Sequence, residues 1–171
     1  MSSPSAEQHR AEAPKAIRCA VVTVSDTRTL ETDTGGRTVV DMLEAAGNVV
    51  AARAIIPDDP QPMRKVLADL CQRGDVDAIL LTGGTGISRR DQTFETVSGL
   101  LTKPLPGYGE LFRMLSYADI GSAAMLSRAV GGLMDSTVVL TMPGSPAAVR
   151  LAMDKIILPE LGHLVREATK T

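Results

Sequence analysis

Short apolar runs alternate with amphipathic segments along the first half of the chain. The run Ile17 to Ser25 is short, continuous and rich in β-branched residues, which is typical of a strand buried on both faces of a parallel sheet. Val49 to Ile56 and Asp77 to Leu81 predict a second and a third strand. Apolar residues at helical spacing predict helices over Thr38 to Ala46 and Gln61 to Arg73, each followed closely by glycine. This alternation predicts an α/β fold with a doubly wound, mostly parallel sheet.

The second half of the chain continues the pattern with less regular spacing. Two segments flank the sequence GGLMDS and predict a hairpin or paired edge strands, Arg128 to Val130 and Thr137 to Thr141. Four further helices are expected, within Gln92 to Leu101, within Gly107 to Tyr117, over Pro146 to Lys155 and over Leu158 to Glu167. The polar start predicts a disordered arm over residues 1–15, which leaves residues 16–168 as a single domain.

Composition narrows the classes of function. The 171 residues are 44% hydrophobic and 22% charged, a balance typical of one globular domain. With only 2 Phe, 2 Tyr and no Trp, the chain lacks the aromatic residues that stack on single-stranded nucleic acid. A net charge of −2 gives no basic field for DNA or a membrane surface. We find no membrane-spanning run and no signal peptide, and we expect a cytoplasmic protein without nucleic-acid or membrane partners.

The most informative stretch is LLTGGTGISRRDQT, Leu80 to Thr93. A strand that ends in a glycine-rich loop before a helix leaves main-chain N–H groups free to bind an anion. The loop lies at the carboxyl edge of the predicted sheet, where open α/β folds bind ligands. It matches neither the P-loop nor the dinucleotide fingerprint. A tight turn without a ligand explains the glycines alone equally well.

Charged neighbours favour a ligand site over a simple turn. Arg89, Arg90 and Asp91 follow the glycines directly, and Asp58 and Asp59 end the second strand in IPDDP. Carboxylates beside bound phosphates are typical ligands of Mg²⁺. The alternative role for each aspartate is a helix N-cap, which would account for one of them but not for the combination.

Two more strand-end loops are expected at the same edge. Ser25 and Asp26 end the first strand, and MPGS, Met142 to Ser145, ends the last one. Turn chemistry explains either loop by itself. Together, four loops rich in Gly, Ser, Thr and Asp predict one polar crevice for a phosphorylated ligand.

These motifs resemble a known family. TGGTGISRRDQT, together with PGYGELFRMLS, LSRAVGG and MPGSP, is similar to the MogA/MoaB proteins of molybdenum cofactor biosynthesis, and gephyrin carries a similar domain. The resemblance extends over roughly Ile17 to Leu161, and the downstream half is closer to the MoaB branch. It implies a three-layer fold with helices on both faces, assembled as a homotrimer or a dimer of trimers.

The resemblance also implies an activity and its residues. Active members bind molybdopterin and, with Mg²⁺ and ATP, adenylylate its terminal phosphate with release of pyrophosphate; other cofactor-biosynthesis enzymes are candidate partners. Asp58 and Asp91 match the two catalytic, Mg²⁺-binding aspartates. The expected phosphate- and substrate-binding residues are Thr82, Gly83, Gly84, Thr85, Gly86, Arg89, Arg90, Ser25, Gly144 and Ser145. The alternative is a protein that holds molybdopterin without catalysis. A nucleotide-dependent oxidoreductase is excluded by the glycine pattern.

Overall fold

The sheet of this protein has six strands. The computed structural model describes residue 14 and residues 16–170, so the arm predicted over residues 1–15 lies outside the described residues apart from Pro14. The strands run in the order β2-β1-β3-β6-β5-β4, with the first four parallel and the last two antiparallel to their neighbours. They are β1 (Arg18–Val24), β2 (Val49–Ile56), β3 (Ala78–Thr82), β4 (Lys103–Pro104), β5 (Gly131–Met134) and β6 (Thr137–Met142).

Helices connect the strands and cover the sheet. They are α1 (Thr34–Ala45), α2 (Pro60–Cys71), α3 (Thr93–Ser98), α4 (Pro106–Ile120), α5 (Pro146–Ala152) and α6 (Leu158–Thr169). A 3₁₀ segment, Gly121–Leu126, follows α4, and a π-helical segment, Met153–Ile157, joins α5 to α6. The predicted α/β class is confirmed, including the mostly parallel sheet with helices on both faces.

Two apolar layers form the core, one on each face of the sheet. On β1, Cys19 and Val21 point into the layer made with α1, α4, α5 and α6. The alternate residues Ala20 and Val22 pack into the other layer, against α2 and α3. Because β1 and β3 lie in the middle of the sheet, their side chains are buried on both faces. This explains the continuous apolar runs of the sequence.

The predicted element bounds differ from the structure in two informative places. Helix α1 begins at Thr34, not Thr38, because Asp33 caps it by accepting a hydrogen bond from the Gly36 N–H. The hairpin exists, but β5 is Gly131–Met134 rather than Arg128 to Val130. The two glycines of GGLMDS therefore belong to the strand, and the turn is at Asp135, which has φ 54°.

The arrangement of the strands brings four loops together. Parallel strands β2, β1, β3 and β6 all end at one edge of the sheet. The loops that begin at Pro57, Ser25, Gly83 and Pro143 therefore neighbour one another. Among residues 14 and 16–170, no helix is both long and apolar enough to cross a membrane.

Candidate anion-binding site

The glycine-rich loop, residues 83–86, is held through its carbonyl groups. The Gly83 carbonyl accepts a hydrogen bond from Thr93 Oγ1 at 2.9 Å, and the Gly84 carbonyl accepts one from the Thr93 N–H at 3.1 Å. The Thr85 carbonyl accepts from the Arg128 N–H at 3.1 Å, and the Gly86 carbonyl accepts from Arg128 Nε at 2.9 Å. Every carbonyl of the loop is therefore fixed by a residue outside it.

The N–H groups of the same peptides point the other way. In a trans peptide the C=O of one residue and the N–H of the next are antiparallel. Each held carbonyl thus turns the N–H group of the next residue away from the residue that holds it; these N–H groups belong to Gly84, Thr85, Gly86 and Ile87. Within the part of the chain that the structure describes, none of these four N–H groups donates to a protein acceptor. Consecutive free N–H groups of this kind form an anion-binding concavity.

Two aspartates approach the loop at its glycines. Gly84 has φ +66°, and a Cβ atom there would lie 2.6 Å from Asp58 Oδ2. A Cβ atom at Gly86 would lie 2.8 Å from Asp91 Oδ2. Only glycine permits such close approach. The loop therefore brings Asp58 and Asp91, which are far apart in sequence, to the same few residues.

Electrostatic repulsion acts on Asp58. The residue is 8% exposed, and burial raises the pKa of its carboxyl group. A hydrogen bond that Oδ1 accepts from the Gln92 N–H at 2.9 Å lowers this pKa in part, whereas the negative charges of Asp91 and Asp26 raise it further. The positive charge of Arg90 lowers the pKa of Asp58 in part, and a bound cation would lower it further.

Asp26 and Arg90 connect two of the loops. Asp26 Oδ1 accepts a hydrogen bond from the Asp58 N–H at 3.2 Å, and Oδ2 forms an ion pair with Arg90. The hydrogen bond from Arg90 lowers the pKa of Asp26. Arg90 was predicted to bind phosphate, and in this structure its guanidinium is engaged by Asp26. Arg89 is exposed and, among the described residues, forms no ion pair.

Two cavities adjoin the loop and share Gly144 and Ser145. The first, about 330 Å³, is lined by Gly84, Thr85, Gly86 and Asp91 on one side. Its other side is largely apolar: Phe112, Ile120, Leu126 and Ala148. The second, about 460 Å³, lies between the ends of β1 and β3 and the start of α1. There is thus room beside the loop for two ligand groups.

The remaining predicted binding residues line the second cavity. They are Ser25, Thr82, Gly83, Gly144 and Ser145. Two of these residues also connect β3 to the segment that ends β6. The Gly83 N–H donates to the Met142 carbonyl at 3.0 Å, and Thr82 Oγ1 donates to the Pro143 carbonyl at 3.1 Å. The Gly83 N–H is therefore already engaged within the protein, and phosphate binding by Gly83 and Thr82 stays a prediction.

The side chains of Ser25 and Ser145 also have local roles. Ser25 Oγ accepts from the Arg28 N–H at 3.1 Å, and Ser145 caps α5 by accepting from the Ala148 N–H at 3.2 Å. Each hydroxyl keeps its proton for a ligand. Asp59, not Asp58, caps α2, by accepting from the Gln61 N–H at 2.9 Å. Asp58 therefore serves no helix cap.

Sequence reasoning missed Arg128, Ser127 and Asp33. Arg128 lies 42 positions from Gly86 in the sequence, and a local motif gives no information about a contact between residues that are so far apart. Ser127 lines the first cavity, and its buried Oγ finds no hydrogen-bond partner among the described residues. Asp33 precedes the paired glycines, and this pattern of a capping residue before a helix could have been recognised.

The donor set fits Mg²⁺ in part. Among residues 14 and 16–170, no group of three His, Cys, Asp or Glu residues could hold a metal ion. Mg²⁺ needs no such group, because it binds through one or two carboxylates and completes its shell with waters and substrate phosphates. Asp58 and Asp91, beside free N–H groups, provide that arrangement.

The fold and the site together define an α/β protein with a candidate anion-binding site at the carboxyl edge of its sheet. Residues 20–163 match the family model described as a probable molybdopterin binding domain. The chain therefore belongs to this family, of molybdenum cofactor biosynthesis proteins, and it is of the MoaB type.

Individual relatives agree with this assignment. The chain is 51% identical over 167 residues to molybdenum cofactor biosynthesis protein B of Halalkalibacterium halodurans, covering 97% of this chain and 98% of the relative. A crystal structure of a molybdenum cofactor biosynthesis protein B superimposes with a TM-score of 0.90 at 52% identity, over 94% of this chain and 100% of that one. The tungsten cofactor synthesizing protein MoaB from Pyrococcus furiosus gives 0.82 at 34%, over 92% and 100%.

Proposed function

We propose that this protein transfers the adenylyl group of ATP to the terminal phosphate of molybdopterin. The observation that carries the proposal is the convergence of Asp58 and Asp91 on a loop with four consecutive N–H groups that donate to no acceptor among the described residues. A protein that only held an anionic pterin would gain nothing from two carboxylates near its phosphate, since like charges repel.

The proposed reaction needs no nucleophilic side chain. A phosphate oxygen of molybdopterin attacks the α-phosphorus of ATP; the new P–O bond forms as the bond to the bridging oxygen of pyrophosphate breaks. The attacking oxygen is already anionic, so no general base is required. Catalysis then rests on positioning and on neutralising the polyphosphate charge.

The roles of the residues follow from their surroundings. The N–H groups of Gly84, Thr85 and Gly86 bind phosphate oxygens in the first cavity. Asp58 and Asp91 would hold Mg²⁺, which supplies charge neutralisation at the transferred phosphate. The two cavities that share Gly144 and Ser145 support a reaction between two bound substrates.

Assembly into a homo-oligomer is the second part of the proposal. Helix α4 and the 3₁₀ segment expose large apolar side chains: Leu111, Met114, Tyr117, Ile120, Met125 and Leu126. We call this the α4 surface. Two of its members, Ile120 and Leu126, also line the first cavity. A second copy of the chain covering the α4 surface would bury this area and close that cavity, in a trimer or a dimer of trimers.

The deciding experiment mixes the protein with molybdopterin, ATP and Mg²⁺ and measures adenylylated molybdopterin and pyrophosphate. We expect Asp91→Asn to reduce turnover by about 10²-fold or more, because it removes charge that holds the metal. Molybdopterin binding by the variant should remain. Asp59→Asn, in the same segment as Asp58, is the matched control and should retain turnover. Wild-type protein that binds molybdopterin but yields no product would support the carrier function instead.

A further inference from the structure

Arg128 contacts the glycine-rich loop from outside and has no role in the proposed reaction. Its backbone N–H donates to the Thr85 carbonyl at 3.1 Å. Its guanidinium donates to the Gly86 carbonyl through Nε at 2.9 Å and through Nη2. A further contact joins Nη2 to the Asp91 carbonyl at 3.4 Å. One residue thus holds both the end of the glycine-rich loop and the segment that carries Asp91.

We propose that Arg128 is a positioning residue that fixes the direction of the Gly86 and Ile87 N–H groups. Among the described residues, the Thr85 and Gly86 carbonyls accept hydrogen bonds only from Arg128. Because each peptide is planar and trans, holding these two carbonyls on one side turns the following N–H groups to the other. Thr93 does the same for the Gly84 and Thr85 N–H groups. The anion-binding side of the loop therefore has two supports.

The surroundings of Arg128 keep its guanidinium in place. Its Nη1 forms an ion pair with Glu95, and this hydrogen bond lowers the pKa of Glu95. The guanidinium also lies over the ring of Phe94, 5.2 Å from the centroid. Both partners belong to α3, so the side chain ties the loop to the helix that follows it. The side chain is only 25% exposed, which limits its freedom further.

A lysine could not replace this arrangement. The planar guanidinium presents several donors in a fixed fork, and here they reach two carbonyls and one carboxylate at once. An ammonium group is a compact charge on a flexible stem and cannot hold the same fork. Arg128→Lys thus keeps the positive charge but removes the side-chain hydrogen bonds that orient the Gly86 carbonyl. This substitution separates positioning from simple charge attraction.

The inference rests on the proposed phosphate-binding role of the loop, so its test uses inorganic pyrophosphate rather than the complete reaction. In ¹⁵N-labelled protein with Mg²⁺, pyrophosphate should shift the amide signals of Gly84 to Ile87. We expect Arg128→Lys to weaken pyrophosphate binding by about 10-fold, the effect of losing a hydrogen bond to a charged group. The amide signal of Ile87 should move before any ligand is added, because the Gly86 carbonyl loses its side-chain donor. The signals of Gly84 and Gly86 should move little, because Thr93 and the Arg128 backbone N–H still hold the Gly83 and Thr85 carbonyls.

A matched control is available at Arg73, which lies away from the loop and binds Asp75 and the Ala51 carbonyl in a similar way. Arg73→Lys should leave pyrophosphate affinity unchanged. Guanidinium ion at low concentration should partly restore binding to Arg128→Ala and should have no effect on Arg73→Ala. Restoration of this kind is not expected of a residue that only stabilises the fold.

Two results would overturn the inference. One is wild-type affinity in Arg128→Lys together with an unmoved Ile87 signal. The other is wild-type protein whose loop amides do not respond to pyrophosphate at all. Neither result depends on product formation. A protein that binds pyrophosphate through the loop, loses affinity in Arg128→Lys and makes no adenylylated product would therefore reject the proposed transferase and uphold the role of Arg128.

Discussion

Asp58 accepts a hydrogen bond through Oδ1 from the N–H of Gln92, the residue that follows Asp91. This hydrogen bond joins the Asp58 carboxylate, after β2, to the chain segment that carries Asp91. This side chain–main chain hydrogen bond of 2.9 Å limits how far the Asp58 carboxylate and the segment that carries Asp91 can separate. The two acidic groups are held together at a cost in repulsion, and this cost can be measured.

The first prediction concerns that repulsion. Asp58→Asn should raise the thermal unfolding midpoint at neutral pH while it abolishes adenylyl transfer. Asparagine keeps an oxygen for the Gln92 N–H but carries no charge near Asp91 and Asp26. The pKa of Asp58 is raised in the folded protein, so the native state binds more protons than the unfolded state between the ordinary value of 3.8 and the raised value. Stability is therefore lost as pH rises through this window.

The pH dependence gives the check. The advantage of Asp58→Asn should be present above the raised pKa and should vanish below the ordinary one, as measured by thermal denaturation across a pH series. Added Mg²⁺ should raise the midpoint of the wild type more than that of the variant. A variant that melts below the wild type at neutral pH would contradict the repulsion.

The second prediction concerns the close approach at Gly84. Gly84→Ala should lower stability by about 1–3 kcal/mol, because φ is +66° there and the new methyl group would press on Asp58 and Thr93. Pyrophosphate binding should be lost as well, since the loop must move. Gly74→Ala is the control, because a Cβ at Gly74 meets nothing within 4 Å. Denaturant unfolding and a pyrophosphate titration measure the two effects, and equal stability of both variants would count against the packing described.

A third prediction concerns Asp33, which is 3% exposed at the start of α1. It accepts hydrogen bonds from Thr23 Oγ1 at 2.7 Å, the Gly36 N–H at 2.9 Å and Arg53 Nη2 at 3.0 Å. Asp33→Ala should cost about 3–5 kcal/mol, because it removes the cap of α1 and leaves the partly buried Arg53 charge without its partner. Asp75→Ala, which breaks an exposed pair with Arg73, should cost less than about 1 kcal/mol. Urea unfolding compares the two.

The acid dependence of Asp33 has the opposite sign to that of Asp58. Burial opposes ionisation, but the bonds from Thr23, Gly36 and Arg53 outweigh it and lower the pKa of Asp33. Its contribution is therefore present above the ordinary value of 3.8 and is lost as pH falls through the lowered value. The difference between wild type and Asp33→Ala should shrink in acid. A constant difference down to low pH would argue against an ionic origin.

The fourth prediction concerns the α4 surface. Met114→Lys should reduce the assembled fraction in sedimentation or light scattering, because a charge at a buried apolar contact is costly. Val49→Lys alters an equally exposed apolar residue outside the α4 surface and serves as the control. Wild-type protein that sediments as a monomer would contradict the proposed assembly.

Much of the fold was predictable because the core obeys simple periodicity. The strands β1, β2 and β3 appear as short apolar runs, and the burial of β1 and β3 on both faces follows from their central place in the sheet. Strand β5 was misplaced because Gly131 and Gly132 look like turn residues; the structure needs them small, since a Cβ at Gly131 would press on Leu140 and Tyr108. Strand β4 has only two residues, too few for any pattern.

The site was predictable only where its residues are local in sequence. The glycines and Asp91 form one motif, and the parallel strands place Asp58 at the same edge. The contacts of Arg128 could not be predicted, since its partners lie 33 to 43 positions away. The use of the Gly83 N–H by Met142 was also hidden, because it depends on how far the β3–β6 pairing extends.

The glycine-rich loop presents main-chain amides, not side chains, to its ligand side. The loop would therefore recognise an anion through the orientation of its backbone N–H groups, and the exposed side chains of Ile87 and Ser88 would contribute little. A homologue could change both of these residues and keep the same affinity, provided that glycine stays at 84 and the two outside supports persist. A search for related activities should accordingly compare peptide orientations rather than residue types.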